Sequence, residues 1–217
     1  MKCFCEYLLT RIPKELPGTA AQIKMAPFDG NNRASRPPEG VHYRDNSVLI
    51  LLTRPSFDDN GYRVLLTLRS KNMPTHKGQI SLPGGRVEKG ENEIDTAIRE
   101  AREEVGIQGH DIQIIGRLTN LFIPNSMNYV HPVVACANKE PELIPNKREV
   151  DEAFFVSLDE LDNPDRLRTE SWVIRNNTYQ VPFWDVHETT PLWGATAMIL
   201  SELLELYREF GSESPPG

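Results

Sequence analysis

GGRVEKGENEIDTAIREAREEVGI, residues 84–107, is the stretch of this sequence that decides the fold. Residues 93–106 are predicted to form a helix because apolar side chains recur there every three or four positions. These apolar positions are Ile94, Ala97, Ile98, Ala101 and Val105. Gly106 ends the predicted helix, since glycine readily adopts the left-handed conformation found at helix C-termini. One face of this helix is therefore expected to pack on a core.

Three glutamates crowd another face of the same helix. Glu100, Glu103 and Glu104 lie within about a quarter of its circumference, because each helical residue turns by about 100°. Carboxylates this close repel one another unless water or a cation compensates them. Mg²⁺ and Mn²⁺ prefer oxygen ligands, whereas a Zn²⁺ site more often includes Cys or His. The cluster therefore predicts a Mg²⁺ or Mn²⁺ site.

The alternative is a solvated acidic face, which is common on surface helices. The neighbouring residues favour the metal site instead. Gly84 and Gly85 allow the backbone to turn tightly and approach the cluster, and a carbonyl there would add an oxygen ligand. Glu91 stands apart upstream, where we expect it to pair with Arg99 and hold the loop against the helix.

This segment resembles the Nudix box, which reads glycine, five residues, glutamate, seven residues, then Arg-Glu-aliphatic-any-Glu-Glu-any-Gly-aliphatic. The matching positions are Gly85, Glu91, Arg99, Glu100, Ala101, Glu103, Glu104, Gly106 and Ile107. Ala101 is smaller than the usual aliphatic residue at its position. That position faces the core, so the departure concerns packing rather than chemistry.

The resemblance implies an α/β (α+β) Nudix fold, a mixed β-sheet sandwiched between α-helices. It also implies metal-dependent hydrolysis of a nucleoside diphosphate linked to another moiety. Glu100 and Glu104 match the principal metal ligands, and the carbonyl of Gly84 matches a backbone ligand. Glu103 matches either an additional ligand or the base that activates water. The catalytic residues expected from the resemblance are thus these three glutamates.

The stretch before the box, LLTLRSKNMPTHKGQISLPGG at 65–85, resembles the signature of the coenzyme A pyrophosphatase branch of the family. Pro74 stands where an arginine is usual, which puts one anionic contact in doubt, and Leu82 replaces the usual Phe. The resemblance implies hydrolysis of coenzyme A or acyl-coenzyme A to 3′,5′-ADP and (acyl-)4′-phosphopantetheine.

Coenzyme A carries a 3′-phosphate besides its pyrophosphate, so its binding needs cationic side chains beyond the metals. Arg69 and Lys77 are the expected substrate contacts, with Lys71 a weaker candidate, because arginine forks and lysine point charges both bind phosphate. His76 and Gln79 are expected to hydrogen-bond substrate, although each is equally suited to bracing the loop.

The remaining chain predicts one mixed α/β domain. A helix and extended loop at 1–45 are expected to pack on the Nudix hydrolase domain at 46–211, followed by a disordered tail at 212–217. Pro132 indicates an edge or bulged strand within 129–137. Helices are expected at 1–15, 93–106 and 191–210, a helical turn at 158–161, and strands at 46–53, 62–69, 111–118, 129–137, 152–157, 171–175 and 178–184. Residues 70–85 are expected to form a long connection that ends in Pro83, Gly84 and Gly85.

The composition excludes several classes of protein. A formal net charge of −7 argues against nucleic-acid binding but not against a small phosphorylated substrate, because a divalent cation reverses the local sign. No apolar run is long enough to span a membrane, and the N-terminus lacks a signal peptide's apolar core. The chain has an odd number of cysteines, Cys3, Cys5 and Cys136, without the spacing of a disulfide framework. This predicts reduced thiols and a cytoplasmic location.

Several alternatives stay open at this point. Another Nudix substrate, such as ADP-ribose or a dinucleotide, or a Nudix-fold binding module without turnover, competes with the coenzyme A hypothesis. The general base is Glu103, Glu149 or Glu152. The number of metals and the acyl-chain preference are not fixed, and homodimers are common in the resembled family, but no interface is indicated.

Overall fold

The computed structural model describes residues 3–28, 37, 39–54, 61–73 and 77–213. The α-helices in these ranges are α1 (Phe4–Arg11), α2 (Gly18–Gln22), α3 (Glu93–Val105), α4 (Leu158–Asp162) and α5 (Gly194–Glu213). The strands are β1 (Arg44–Thr53), β2 (Arg63–Arg69), β3 (Ile80–Ser81), β4 (Gly84–Arg86), β5 (Ile112–Arg117), β6 (Leu121–Ile123), β7 (Asn128–Ala137), β8 (Val150–Ser157), β9 (Leu167–Ile174), β10 (Asn177–Trp184) and β11 (Leu192–Trp193). Short 3-10 turns lie at Ile23–Met25, Gly109–Asp111 and Pro164–Arg166.

The larger sheet is mixed and is organised around β1. This strand pairs antiparallel with β2 and β4, and parallel with β7. A parallel pair requires a long crossover connection, and here that connection contains α3. β2 also pairs with β3 and β8, while β7 also pairs with β5 and β6. The box segment therefore runs from β4, which lies in the sheet beside β1, to α3, which packs on one face of the sheet.

Helices cover both faces of this sheet. On one face, Ala97, Ala101 and Val105 of α3 pack in a cluster with Leu49 and Val133. On the other face, α1 and α5 contribute the larger core, which includes Phe4, Leu8, Leu200 and Leu203 together with Ile50 and Leu52 of β1. The predicted mixed sheet between helices is confirmed. Burial on both faces also explains why β1 and β2 are almost continuously apolar.

A second sheet of three strands, in the order β11-β10-β9, was not predicted as a separate unit. β9 and β10 are joined by Arg175 and Asn176, whose φ angles of 50° and 67° are left-handed. Positive φ at both central residues is typical of the type I′ turns that close tight hairpins. The turn places Arg175 at one end of this small sheet.

A buried carboxylate, Glu202 of α5, joins the N-terminal segment to the core. Its oxygens accept hydrogen bonds from Gly18 N at 3.1 Å, from Gln22 Nε2 at 3.1 Å and from Thr119 Oγ1 at 2.7 Å. Burial raises the pKa of this glutamate, and the bonds from Thr119, Gly18 and Gln22 oppose that rise. Glu202 therefore ties the segment around α2 to α5 and to Thr119, together with the bond from Ser201 Oγ to the carbonyl of Ala21.

We expect Glu202→Ala to lower the free energy of unfolding by about 1–3 kcal/mol, because the buried amide of Gln22 and the half-buried donors of Gly18 and Thr119 lose their acceptor. Chemical denaturation at neutral pH measures this change. Glu213→Ala, which truncates an exposed glutamate of the same helix, is the matched control. Equal stability of the two variants would contradict the assigned role of Glu202.

Three expectations from the sequence are wrong. Cys5 and Cys136 form a disulfide rather than reduced thiols, and among the described cysteines only Cys3 is free. These partners are 131 residues apart and meet because α1 packs on the face of the sheet that carries Cys136. The residues assigned to a plain connection at 70–85 contain β3 and the start of β4.

The third correction concerns Pro132, whose strand β7 is interior rather than at an edge. Pro132 lies opposite the gap between β5, which ends at Arg117, and β6, which begins at Leu121. Its missing N–H therefore falls where the antiparallel ladder is interrupted. The register irregularity lies in β5, between Ile114 and Gly116, and not at Pro132.

The C-terminal segment is more helical than the sequence predicted. α5 continues through Glu213, so part of the segment expected to be a disordered tail is helical, and 214–217 lie outside the described residues. No helix in the described ranges combines the length and the apolar character that crossing a bilayer requires. The division into segments at 45 and 211 stays a prediction.

Candidate active site

The glutamate helix is fixed at both ends by its own sequence. The side chain of Asn92 caps α3 by accepting hydrogen bonds from the N–H groups of Ile94 and Asp95, both at 2.9 Å. At the other end Gly106 has a φ of 81°, the left-handed conformation predicted for this position. The caps therefore fix where α3 begins and ends, and packing of its apolar face decides which side meets the glycine turn.

The glycine pair is required by close approach on two sides. A Cβ at Gly84 would overlap the carbonyl oxygen of Ser47, because β4 lies tightly against β1. A Cβ at Gly85 would overlap the carboxylate of Glu100. Both glycines have ordinary φ values, so the need here is for space and not for backbone freedom. The predicted approach of this backbone to the acidic cluster is confirmed.

Arg99 holds the acidic residues in place. Its Nε and Nη2 donate to the two carboxylate oxygens of Glu91 at 2.7 and 3.1 Å, which confirms the predicted pair. Its Nη1 donates to Glu100 at 2.7 Å and to Glu103 at 3.3 Å. The bonds from Arg99 lower the pKa of Glu91 to about 2. Glu91 therefore stays ionised and acts as a structural partner of Arg99.

Glu104 is the most buried acid of the cluster, with only 2% of its surface exposed. Its Oε2 accepts from Gly84 N at 3.3 Å, and its Oε1 lies 3.4 Å from Arg69 Nη1. Burial raises the pKa of Glu104 to about 7; Arg69 lowers it, and Glu100 raises it further. A carboxyl group in this position needs positive charge nearby to ionise.

Glu100 shares this environment. Burial raises its pKa, the hydrogen bond from Arg99 lowers it, and the charges of Glu103 and Glu149 raise it. Glu149 also raises the pKa of Glu104, so its charge acts on both of the more buried glutamates. Glu152 instead points to His187, with its Oε2 3.3 Å from the ring Nε2. Of the two acids considered outside the box, Glu149 therefore acts on the cluster through its charge, whereas Glu152 is paired with His187.

The acidic groups fit a hard divalent cation by their chemistry. They supply carboxylate oxygens without Cys or His, and the two more buried ones, Glu100 and Glu104, have raised pKa values that a cation would offset. In the described part of the chain, no three acidic, His or Cys side chains are grouped closely enough to hold a metal as they stand. The guanidinium of Arg99 bridges Glu100 and Glu103 instead, and about half of the Glu103 side chain is exposed.

A cavity of about 990 Å³ opens beside the glycine pair. Gly84 and Gly85 line it together with the predicted substrate contacts Arg69, Lys77 and Gln79. Lys71 is exposed and is not among its lining residues. His76 lies outside the described residues. The cavity thus contains most of the side chains expected to bind substrate. It borders the acidic cluster through Gly84, Gly85 and Arg69, which contact Glu100 or Glu104, although those glutamates are not among its lining residues.

Two further cationic residues line the same cavity and were missed from the sequence. Arg44 begins β1, and Arg175 lies in the turn between β9 and β10. Neither residue is near the box in sequence, and neither carries a motif. Strand pairing brings Arg44 to the cavity and the second sheet brings Arg175, so no local signal identifies them. Much of the remaining wall is apolar, including Ile23, Leu121, Phe122, Ile123, Trp193 and Met198.

Comparison with known proteins agrees with this geometry. A family model described as the NUDIX domain matches residues 44–176. Nudix hydrolase 3 of Caenorhabditis elegans is 29% identical over 80% of this chain and 79% of the relative. The peroxisomal coenzyme A diphosphatase ndx-8 of the same organism is 31% identical, over 75% of this chain and 68% of the relative. The human mitochondrial coenzyme A diphosphatase NUDT8 is 31% identical over 66% and 62%.

Solved structures share the fold. The Nudix hydrolase RenU of M. smegmatis superposes with a TM-score of 0.51 at 19% identity, covering 80% of this chain and 89% of that one. The family match spans more than half of the chain, and it includes the glycine turn, the capped helix and the glutamates. The chain therefore belongs to the Nudix hydrolase family and is a pyrophosphohydrolase.

Proposed function

We propose that this enzyme hydrolyses the pyrophosphate bond of coenzyme A or its acyl derivatives, with Mg²⁺ or Mn²⁺ as cofactor. The observation that carries the proposal is the convergence of Glu100 and Glu104 with the glycine pair at the wall of a cavity lined by Arg69, Lys77 and Gln79. The coenzyme A-type pattern at 65–85 and the two relatives named as coenzyme A diphosphatases support the choice of substrate.

The acidic residues take their roles from their environments. Nudix hydrolases generally use divalent metal ions, and Glu100, Glu104 and the carbonyl of Gly84 would hold the ion here. Glu103 is more exposed and would serve as an additional ligand or as the base, a role that Glu149 also fits. When bound, a divalent ion draws charge from the phosphate oxygens and lowers the pKa of a coordinated water.

The other residues bind and orient the substrate. Arg69 lies beside Glu104 and lines the cavity, so its guanidinium is placed to bind a pyrophosphate oxygen as well as to hold that carboxylate. Lys77 adds a second positive charge, and Gln79 a hydrogen-bonding amide. In the reaction, the oxygen of water bonds to one phosphorus, the bridging P–O bond breaks, and two phosphate monoesters leave. A cytoplasmic location and a homodimer stay predictions.

The substrate is tested by assaying coenzyme A, ADP-ribose and NADH at equal concentration with Mg²⁺. We expect coenzyme A to be hydrolysed with the highest kcat/KM, giving 3′,5′-ADP and 4′-phosphopantetheine. Consumption of ADP-ribose or NADH while coenzyme A stays intact would contradict the proposal. A parallel assay in excess chelator is the control for metal dependence, and undiminished turnover there would exclude the assigned cofactor.

A further inference from the structure

The cavity continues beyond the glycine pair to a second cationic end. Arg44, Asn46 and Val48 all line it, as expected for alternate residues that share one face of β1. Ser47, the neighbour of Asn46 and Val48, pairs with Gly85 across the β1–β4 ladder. A strand rises by about 3.3 Å per residue, so Arg44 lies about 10 Å along β1 from the glycine pair.

The turn between β6 and β7 holds both arginines of this end. The backbone N–H of Arg44 donates to the carbonyl of Met127 at 2.8 Å. Nη1 of Arg175 donates to the carbonyl of Asn125 at 3.3 Å. Met127 itself has a φ of 53°, a conformation that non-glycine residues rarely adopt. The start of β1 and the turn between β9 and β10 are thus tied to one short loop.

This end of the cavity carries the positive charges of Arg44 and Arg175. In the ranges that the structure describes, neither Arg44 nor Arg175 forms an ion pair, although the chain carries a net charge of −7. Ser126 lies between their backbone anchors in the same loop, and its buried Oγ has no hydrogen-bond partner among the described residues. Two arginines and a serine that line one cavity suit a phosphate monoester, which accepts several charge-assisted hydrogen bonds.

We propose that Arg44, Arg175 and Ser126 form a second anion site, which binds the phosphate monoester on the ribose of coenzyme A. The inference rests on the proposed function and deepens it. The pyrophosphate would lie beside Gly85, Arg69 and the acidic cluster, and the ribose would bridge the distance to the second site. This site would distinguish coenzyme A from ADP-ribose and NADH, whose riboses carry no phosphate monoester.

Binding of the nucleotide alone tests the site without turnover. Isothermal titration with 3′,5′-ADP and with 5′-AMP is compared for the wild type, Arg44→Gln, Arg175→Gln and the double variant. We expect the wild type to bind 3′,5′-ADP at least about tenfold more tightly than 5′-AMP, and the double variant to bind the two almost equally. Arg168→Gln is the control, because it removes the same charge from exposed β9 outside the cavity lining. Equal binding of the two nucleotides by the wild type, or a preference that persists in the double variant, overturns the site.

Turnover separates this inference from the function on which it rests. We expect kcat/KM for coenzyme A to fall at least about tenfold in Arg175→Gln, while kcat/KM for 3′-dephospho-coenzyme A changes little. An equal fall for both substrates overturns the assignment. A wild-type enzyme that hydrolyses neither coenzyme overturns the proposed function, whereas loss of the 3′,5′-ADP preference in the double variant would still support the second site.

Discussion

Glu104→Gln is expected to lower kcat by about a thousandfold with coenzyme A and saturating Mg²⁺. The substitution keeps the shape of the side chain and an acceptor for Gly84 N, but it removes the charge on the most buried acid of the cluster. Loss of one electrostatic contact to a transition state typically costs two to three orders of magnitude, roughly 10² to 10³. Initial rates over a range of Mg²⁺ concentrations measure the effect.

Arg102→Gln is a suitable control for this variant, because Arg102 lies on an exposed position of the same helix. It should retain nearly all of the activity. A Glu104→Gln enzyme as active as the wild type would remove Glu104 from the metal site and would leave the acidic cluster without a catalytic role.

The same substitution should stabilise the metal-free protein at alkaline pH. The pKa of Glu104 is raised to about 7 in the folded protein, so folding favours its neutral form. The stability that folding gains from neutral Glu104 is fully present below the unfolded pKa of about 4.3. It is lost as the pH rises through the folded pKa. At pH 8 in chelator, the wild type should therefore be less stable than Glu104→Gln by on the order of 2–3 kcal/mol. Urea denaturation at pH 5 and pH 8 measures the difference, and equal pH dependence of both proteins would refute it.

Gly85→Ala is expected to cost about a hundredfold in kcat/KM, because the added methyl group takes the space of the Glu100 carboxylate. Overpacking of this kind also costs about 1–3 kcal/mol of folding free energy. Kinetics at saturating Mg²⁺ and urea denaturation measure the two effects separately.

Gly211→Ala is the matched control for the glycine substitution. Gly211 lies in α5, and a Cβ there would meet nothing within 4 Å. This variant should keep full activity and gain a little stability, since alanine favours helix more than glycine does. A Gly85→Ala enzyme with normal kcat/KM would show that Glu100 does not need its present position for catalysis.

The sequence predicted the helix, its C-terminal glycine and the acidic cluster because these depend on short-range geometry. Residues three and four apart share a helix face whatever surrounds them, so the proximity of Glu100, Glu103 and Glu104 follows from spacing alone. The pair Glu91–Arg99 and the close approach of Gly85 were also predictable, because the box fixes their separation in the chain.

Other features depended on the packing of distant segments. Three of them bring together parts of the chain that no local pattern relates. They are the disulfide between Cys5 and Cys136, the pairing that places Pro132 in an interior strand, and the hydrogen bonds to the buried carboxylate of Glu202. Thiol spacing led to the wrong prediction for Cys5 and Cys136, because a spacing rule presupposes that the partners are close in sequence.

The sequence by itself thus determined which carboxylates lie together, since a helical repeat places them on one face before any tertiary contact forms. Only the tertiary structure decided what those residues face. It buries Glu104 beside Arg69, leaves Glu103 half exposed, and brings Arg44 and Arg175 to the same cavity. The physical reason is that burial and the pairing of distant strands are properties of the whole folded chain, whereas the spacing along a helix is local.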